Sequence, residues 1–319
     1  MKIAFLLYPV SKVKINEDSS FWIMRELIAR GHKVFYFESR HLFWQLDGPF
    51  AYLSPAKLHS KRGYLPSKPN ANADRLSLLD CIFIRKEPPF DTEYLSALQI
   101  LESIKHKAFI LNDPQGMAIS NEKLFSLLFK KYTSETFVTQ EPREAKKFIH
   151  YLKKPVVIKP LDEKGGAGIF SSSPGDRNLP SLLDTATVFG QKTVMIQRFI
   201  PADRFGDKRI LILDGKPLGS FIRRPPTYDF RANLSIGGSM HRSDLTAWDK
   251  KLVEFMAPKL LAHGLYFAGI DVIGKYLTEV NVTSPAGIPE IHYLSGMRLE
   301  KDVADFIEKT LAVRKRFLK

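Results

Sequence analysis

The stretch from Gly269 to Pro285 constrains this chain most. Apolar and β-branched residues (Ile270, Val272, Ile273, Leu277, Val280, Val282) lie on either side of Gly274-Lys275. That pattern reads as two short strands joined by a tight turn. Side chains alternate faces along a strand, so Glu279 and Asn281 share one face, and pairing across the turn would bring Asp271 to the same side. Three hard oxygen donors with no His or Cys beside them suit Mg²⁺ rather than zinc. So sparse a ligand set completes its shell with water and substrate phosphate. An ordinary hairpin with a polar outer face is the other reading of this stretch taken alone.

The chain has 319 residues, 44% hydrophobic and 26% charged, the balance of a soluble enzyme with two or three cores. Its apolar opening, Met1 to Val10, is interrupted at Pro9 and followed by the charged segment Lys12 to Asp18. It reads as a first buried strand rather than a signal peptide. No apolar run approaches the length of a bilayer span, so no membrane partner is expected. The single cysteine, Cys81, leaves no internal disulfide and fits a reducing cytoplasm. In Asp80-Cys81-Ile82-Phe83-Ile84 it reads as a core residue, since nothing near it would activate a thiolate. The net charge of +14 raises nucleic acid as a partner. However, the basic residues are scattered, and the one dense run, Arg314-Lys315-Arg316, reads as a solvated helix end. A positive field serves an enzyme of anionic substrates too, so charge alone does not decide; with Asp271, Glu279 and Asn281 all present, no nucleic acid partner is expected.

The first part of the chain alternates strands (Ile3 to Leu7, Lys33 to Phe37, Cys81 to Arg85, Ala108 to Leu111) with helices from Ser19-Ser20 to Arg30 and from Thr92 to His106. This is a βαβ rhythm and predicts an α/β fold with a parallel sheet. Ser19 or Ser20 can cap the first helix and Gly31 can end it. Ser54 to Asn72 reads as irregular. The loop after Arg85 lies at the carboxyl end of a strand, where open α/β sheets place ligands, so Arg85 and Lys86 read as substrate contacts or as solvated strand-end charges. Asn112 to Gly116 marks a domain boundary.

Beyond it, Leu124, Phe125, Leu127 and Leu128 have helical spacing, and a helix from Pro142 to Leu152 leads into a buried strand ending at Lys159-Pro160. The glycine-rich Leu161 to Phe170 can aim successive backbone N–H groups at one anion, or form a plain hairpin turn. Thr193 to Pro201 reads as a strand and a hinge able to present backbone groups to an adenine ring. Further strands are expected at Arg209 to Leu213 and Phe221 to Arg224. The long loop Pro225 to Ser239, with Arg231, Asn233 and Gly237-Gly238, reads as a lid, and a helix from Thr246 to Gly264 follows it.

Lys123, Lys159, the glycine loop, Arg209, Arg224, Asp271, Glu279 and Asn281 supply cations, backbone donors and metal-binding oxygens. That is the set phosphoryl transfer needs. No Ser-His-Asp arrangement competes with it, and a Gly-Lys-Ser/Thr phosphate loop is missing from the sequence.

Several blocks resemble the bacterial glutathione synthetases, members of the ATP-grasp superfamily. They are Asp18-Ser19-Ser20-Phe21, Arg85-Lys86-Glu87-Pro88-Pro89-Phe90-Asp91-Thr92-Glu93, Asn121-Glu122-Lys123-Leu124-Phe125, Ile158-Lys159-Pro160-Leu161-Asp162, Gly206-Asp207-Lys208-Arg209 and Leu277 to Pro285. They are collinear and span nearly the whole chain. The resemblance implies an ATP-grasp fold of the α/β (α+β) class. An N-terminal parallel-sheet domain (1–118) would precede a small lid domain (119–200) and a C-terminal catalytic domain (201–319).

Carried over by position, Lys123, Lys159, Gly165 and Gly166 would contact ATP phosphates. Gln197, Phe199 and Ile200 would line the adenine pocket, and Asp207 would lie near the nucleoside. Asp271, Glu279 and Asn281 would hold two Mg²⁺ ions, with Mn²⁺ as an alternative. Arg209 and Arg224 would neutralise the transferring phosphoryl group and the acyl phosphate, Arg231 would sit in the lid loop as a third catalytic residue, and Arg85 and Ser19 would contact substrate. The implied reaction condenses γ-glutamylcysteine with glycine as ATP becomes ADP and phosphate, in a cytoplasmic homo-oligomer. Departures fall at Glu163-Lys164, where the family has smaller or neutral residues, at Ser239, at Pro289, and in a slightly shorter lid. Glu163 is expected to point to solvent. These departures leave a paralogous ligase with another acid or amine as the alternative.

Overall fold

The computed structural model describes every residue except 13, 60–62, 67–68 and 318–319. A six-stranded sheet holds, in spatial order, Gly63–Pro66, Ser54–His59, Lys33–Glu38, Lys2–Leu7, Cys81–Arg85 and Phe109–Leu111. The last four pair in parallel, as the βαβ rhythm predicts. The first two form an antiparallel hairpin where an irregular segment was expected; residues 60–62 and 67–68 of that segment lie outside the described residues. Tyr36 pairs with Ser54 and Phe35 with Pro55, so the sheet supplies pairing that this polar, proline-containing stretch does not advertise.

Helix Ser19–Ala29 is capped by Asp18, whose carboxylate accepts from the Ser20 N–H at 2.6 Å, rather than by either serine. The serine hydroxyls are thereby free for other partners. Helical spacing after Asn121 yields only a 3₁₀ run, Leu124–Phe129.

A four-stranded antiparallel sheet, ordered Thr136–Thr139, Val194–Arg198, Val156–Pro160, Phe170–Ser172, carries helices Pro142–Leu152 and Leu179–Thr187. The second helix was not read from the sequence. This unit has its own small core, including Ala145, Ile149, Ile158, Leu183 and Ile196.

A five-stranded antiparallel sheet follows, ordered Ser239–Arg242, Lys216–Arg224, Asp207–Leu213, Phe267–Ile273, Tyr276–Asn281. The first and last sheets share their cores. Ala4, Leu6 and Ile82 belong to one buried cluster with Ile210, Ile212 and Ile270. Ile3, Phe5, Cys81 and Phe83 join Leu211, Phe267 and Val303 in the other. Cys81 is fully buried, and burial pushes its thiol well above the usual range, as suits a core residue. The C-terminal helix Leu299–Phe317 packs on Ser19–Ala29, where Arg30 pairs with Glu308 at 2.9 Å. Its basic end is not merely solvated: Arg314 donates to the Lys105 carbonyl at 3.1 Å.

Candidate active site

The predicted hairpin forms, with Gly274 (φ 63°) opening its turn, a conformation that glycine adopts without strain. Near the turn Val272 faces Leu277, and a bulge at Thr278 then shifts the register so that Asp271 lies opposite Glu279 and Gly269 opposite Asn281. Thr278 Oγ1 donates to the Asp271 carbonyl at 3.1 Å and fixes that bulge. The three oxygen-bearing side chains therefore share one face.

The same parity argument extends across the sheet. Arg209 pairs with Asp271 on one side and Phe221 on the other, while Asp207 faces Arg223. Asp207, Arg209, Arg223, Asp271 and Glu279 thus project to one side. Lys208, of opposite parity, instead meets Asp249 beneath the sheet at 2.5 Å. Arg224 also has the wrong parity: it is exposed and donates to the Asp203 carbonyl at 3.0 Å, away from the other cations. Arg223 stands where Arg224 was expected. The register between the two strands, which alternation along either one does not supply, puts Arg223 opposite Asp207.

Between this face and the four-stranded sheet lies a cleft that is open to solvent, where ligand sites are commonly formed. Lys123, Lys159, Gly165, Gly166, Gln197 and Asp207 line it, as do Phe199, Ile200, Arg231, Asp271 and Glu279. Lys123 Nζ donates to the Glu163 carbonyl at 2.7 Å and lies 3.4 Å from Glu279. Lys159 donates to Gln197 Oε1 at 3.0 Å, so Gln197 orients a lysine from the floor of the cleft. Burial, reinforced by Lys123, pushes the Lys159 amine below its ordinary value despite Glu279.

Asp271 is the electrostatic centre. Burial opposes its ionisation, but two hydrogen bonds from Arg209 and an ion pair with Arg223 at 3.0 Å outweigh that, holding its carboxyl well below the usual range. Desolvation raises Asp207 despite Arg223, which bonds it at 2.6 Å. Asp207 Oδ1 and Arg223 Nε are buried and lack hydrogen-bond partners among the described residues. Asn281 Nδ2 donates to Asp271 at 3.3 Å, leaving the amide oxygen unused by that bond. Two carboxylates and an amide oxygen are donors of the hard-cation kind and not of the zinc kind, but both Asp271 oxygens are engaged by Arg209, so a cation there would have to share or displace that pairing.

The segment Pro225 to Ser239 borders the cleft through Phe230, Arg231, Ala232 and Asn233. Arg231 is clamped by Asp229 and donates to the Gly166 carbonyl at 2.7 Å. Phe230 meets Phe199 edge-on at 5.9 Å. Gly166 (φ 84°) permits that approach, since a Cβ there would lie 2.8 Å from Asn233 Oδ1. Sequence reasoning missed Phe230 as a lining residue. Glu163 is exposed but also lines the cleft, and Ser239 opens an exposed edge strand.

Arg85 and Ser19 do not line this cleft. Both are buried against the loop after the hairpin: Arg85 donates to the Pro285 carbonyl at 3.0 Å, and Ser19 Oγ accepts from the N–H groups of Gly287 and Ile288 at 3.2 Å each. Pro289 begins the helix Ile288–Ser295 in the same region. Arg85 Nη1 is buried without a hydrogen-bond partner among the described residues.

Residues 1–117 match the family model for the prokaryotic glutathione synthetase N-terminal domain, and residues 122–296 match that for the prokaryotic glutathione synthetase ATP-grasp domain. A glutathione synthetase from Gloeobacter violaceus is 38% identical over 313 residues, covering 96% of each chain. Among solved structures, D-alanyl-alanine synthetase A from Vibrio cholerae superimposes with a TM-score of 0.65 at 15% identity, covering 98% of each chain. An ATP-grasp ligase solved with a minimal precursor variant, Mg and ADP gives 0.61 at 13%, covering 97% of this chain and 98% of its own. These last two speak for the fold; the full-length identity and the two family matches establish that this chain belongs to the prokaryotic glutathione synthetase family, with an ATP-grasp fold.

Proposed function

We infer that the protein is an ATP-dependent ligase that joins γ-glutamylcysteine to glycine. The observation that carries this reading is the apposition, in one cleft, of Lys123, Lys159 and the glycine loop with the Asp207, Arg223, Asp271 and Glu279 face of the five-stranded sheet. A carboxylate is a poor acyl donor. Transfer of the γ-phosphoryl group of ATP to the cysteinyl carboxylate releases ADP and makes an acyl phosphate. The glycine amine then attacks the carbonyl carbon, the C–O bond to phosphate breaks, an amide forms and the amine loses a proton. Little covalent chemistry falls to the protein, which positions the reactants and neutralises charge.

Lys123, Lys159 and the Gly165 and Gly166 backbone hold the polyphosphate in this reading, with Phe199 and Ile200 beside the base. Gln197 orients Lys159, and Asp207 serves the nucleoside. Asp271, Glu279 and Asn281 would hold Mg²⁺, with Mn²⁺ as a substitute; the ion supplies Lewis acidity toward phosphate oxygens when bound. Arg223 rather than Arg224 stabilises the transferring group. Arg209 acts mainly through Asp271, and Arg231 closes the lid and excludes water from the acyl phosphate. Arg85 and Ser19 set the loop after Pro285 beside the acid substrate.

No helix among the described residues is long and apolar enough to cross a membrane. We further place the enzyme in the cytoplasm as a homo-oligomer, whose interface would cover the half-exposed Leu128 and Phe255. ADP release with ATP, γ-glutamylcysteine and glycine together, set against γ-glutamylcysteine or glycine omitted alone, tests the substrate assignment. Equal release without glycine would overturn it.

A further inference from the structure

Lys164 departs from the resemblance, and the structure gives it a partner in the first sheet. Its ammonium meets the Glu87 carboxylate and lies 4.8 Å over the Tyr8 ring. Tyr8 and Glu87 follow the adjacent parallel strands Lys2–Leu7 and Cys81–Arg85, in which Leu7 and Arg85 are paired. The contact therefore joins the glycine loop to the carboxyl edge of the sheet that also carries Arg85. At its base the loop is held by Asn121, which donates to the Leu161 carbonyl at 3.1 Å, and by Lys123 on Glu163. On its far side Arg231 holds Gly166. Lys164 supplies the tie on the remaining side.

We propose that Lys164 is a positioning residue which, through Glu87 and Tyr8, holds the glycine loop closed and links nucleotide enclosure to the edge of the N-terminal sheet. The proposal rests on the reading of the cleft as an ATP site. Lys164 and Glu87 keep 41% and 33% of their side-chain surface exposed, so the pair is screened by solvent and its effect is modest and salt-sensitive. A lysine that instead bound phosphate directly would be competed for by Glu87. The two roles therefore predict opposite signs when the carboxylate is removed.

The experiment compares full-length wild type with Glu87→Gln, Lys164→Met and the double reversal Glu87→Lys with Lys164→Glu. Amide hydrogen exchange over residues 163–168, read without nucleotide, should quicken about two- to fivefold in each single variant and return toward wild type in the reversal. In Glu87→Gln the KM for ATP should rise by a similar factor while kcat stays within about twofold. Unchanged exchange in Glu87→Gln, or a lower KM for ATP, would overturn the proposal. A wild type that forms no ADP would strike the ligase reading and not the tie, since exchange reads the tie without any reaction.

Discussion

The two walls of the cleft are built on opposite plans. On the hairpin wall, Asp271, Arg209 and Arg223 are each at least nine-tenths buried and bonded to one another. On the opposite wall, Glu163, Lys164, Gly165, Ala167 and Gly168 are exposed, and the loop is tied down by isolated hydrogen bonds. The first wall presents fixed charge and spends no reorganisation as phosphoryl transfer proceeds. The second can open and close around a nucleotide. Rigidity thus resides where charge develops, and mobility where substrates pass.

Removing charge from the rigid wall should have the largest effect. Glu279→Gln deletes one charge with almost no change of volume, and turnover should fall roughly a thousandfold or more with the fold intact. Near-normal turnover of the folded variant would remove Glu279 from the chemistry. Next comes a contrast within that wall. Arg223→Ala should lower kcat about 10²–10³-fold and also reduce stability, by about 3–5 kcal/mol if Asp271 is left short of a buried partner. Arg224→Ala should stay within about twofold on kcat and near wild type in a urea melt. Equal losses from the two arginines would refute the parity argument.

The lid segment between the strands Lys216–Arg224 and Ser239–Arg242 should respond to ligand more than to charge deletion. Limited proteolysis within Pro225 to Ser239 should slow severalfold once Mg²⁺, ATP and γ-glutamylcysteine are present. Equal cutting with and without ligands would make the segment a passive connection. The smallest effect concerns Lys159, whose amine is depressed by burial and by Lys123. A phosphate beside it favours the charged form and raises that value again. ATP binding should therefore take up a fraction of a proton, and affinity should decline as pH rises through the depressed value. Calorimetry in two buffers of different ionisation heat reads this, and a binding heat independent of buffer would contradict it.

The rigid wall was largely legible in the sequence, because strand alternation and a glycine turn are local signals. Asp271, Glu279 and Asn281 fall on one face as expected. What local pattern does not encode is register. The Thr278 bulge sets which residues oppose each other, and one step along the neighbouring strand separates Arg223 inside from Arg224 outside. Pairing partners were similarly invisible for Ser54–His59, a strand held between Lys33–Glu38 and Gly63–Pro66. The three-part division of the chain missed that its first and last parts share two cores, since contact between Phe83 and Phe267, with ring centroids 5.9 Å apart, leaves no mark in composition. The contact of Lys164 with Glu87 was not legible, because the two lie 77 positions apart.

Positional isotope transfer tests the central claim most directly. γ-Glutamylcysteine labelled with oxygen-18 in its cysteinyl carboxylate is incubated with Mg²⁺, ATP, glycine and the enzyme, and the products are examined by mass spectrometry. An acyl phosphate requires one labelled oxygen to leave with phosphate while the other stays in the new amide carbonyl. Inorganic phosphate carrying one oxygen-18 per turnover is the predicted result. Unlabelled phosphate, formed at the same rate as the peptide bond, would contradict the account.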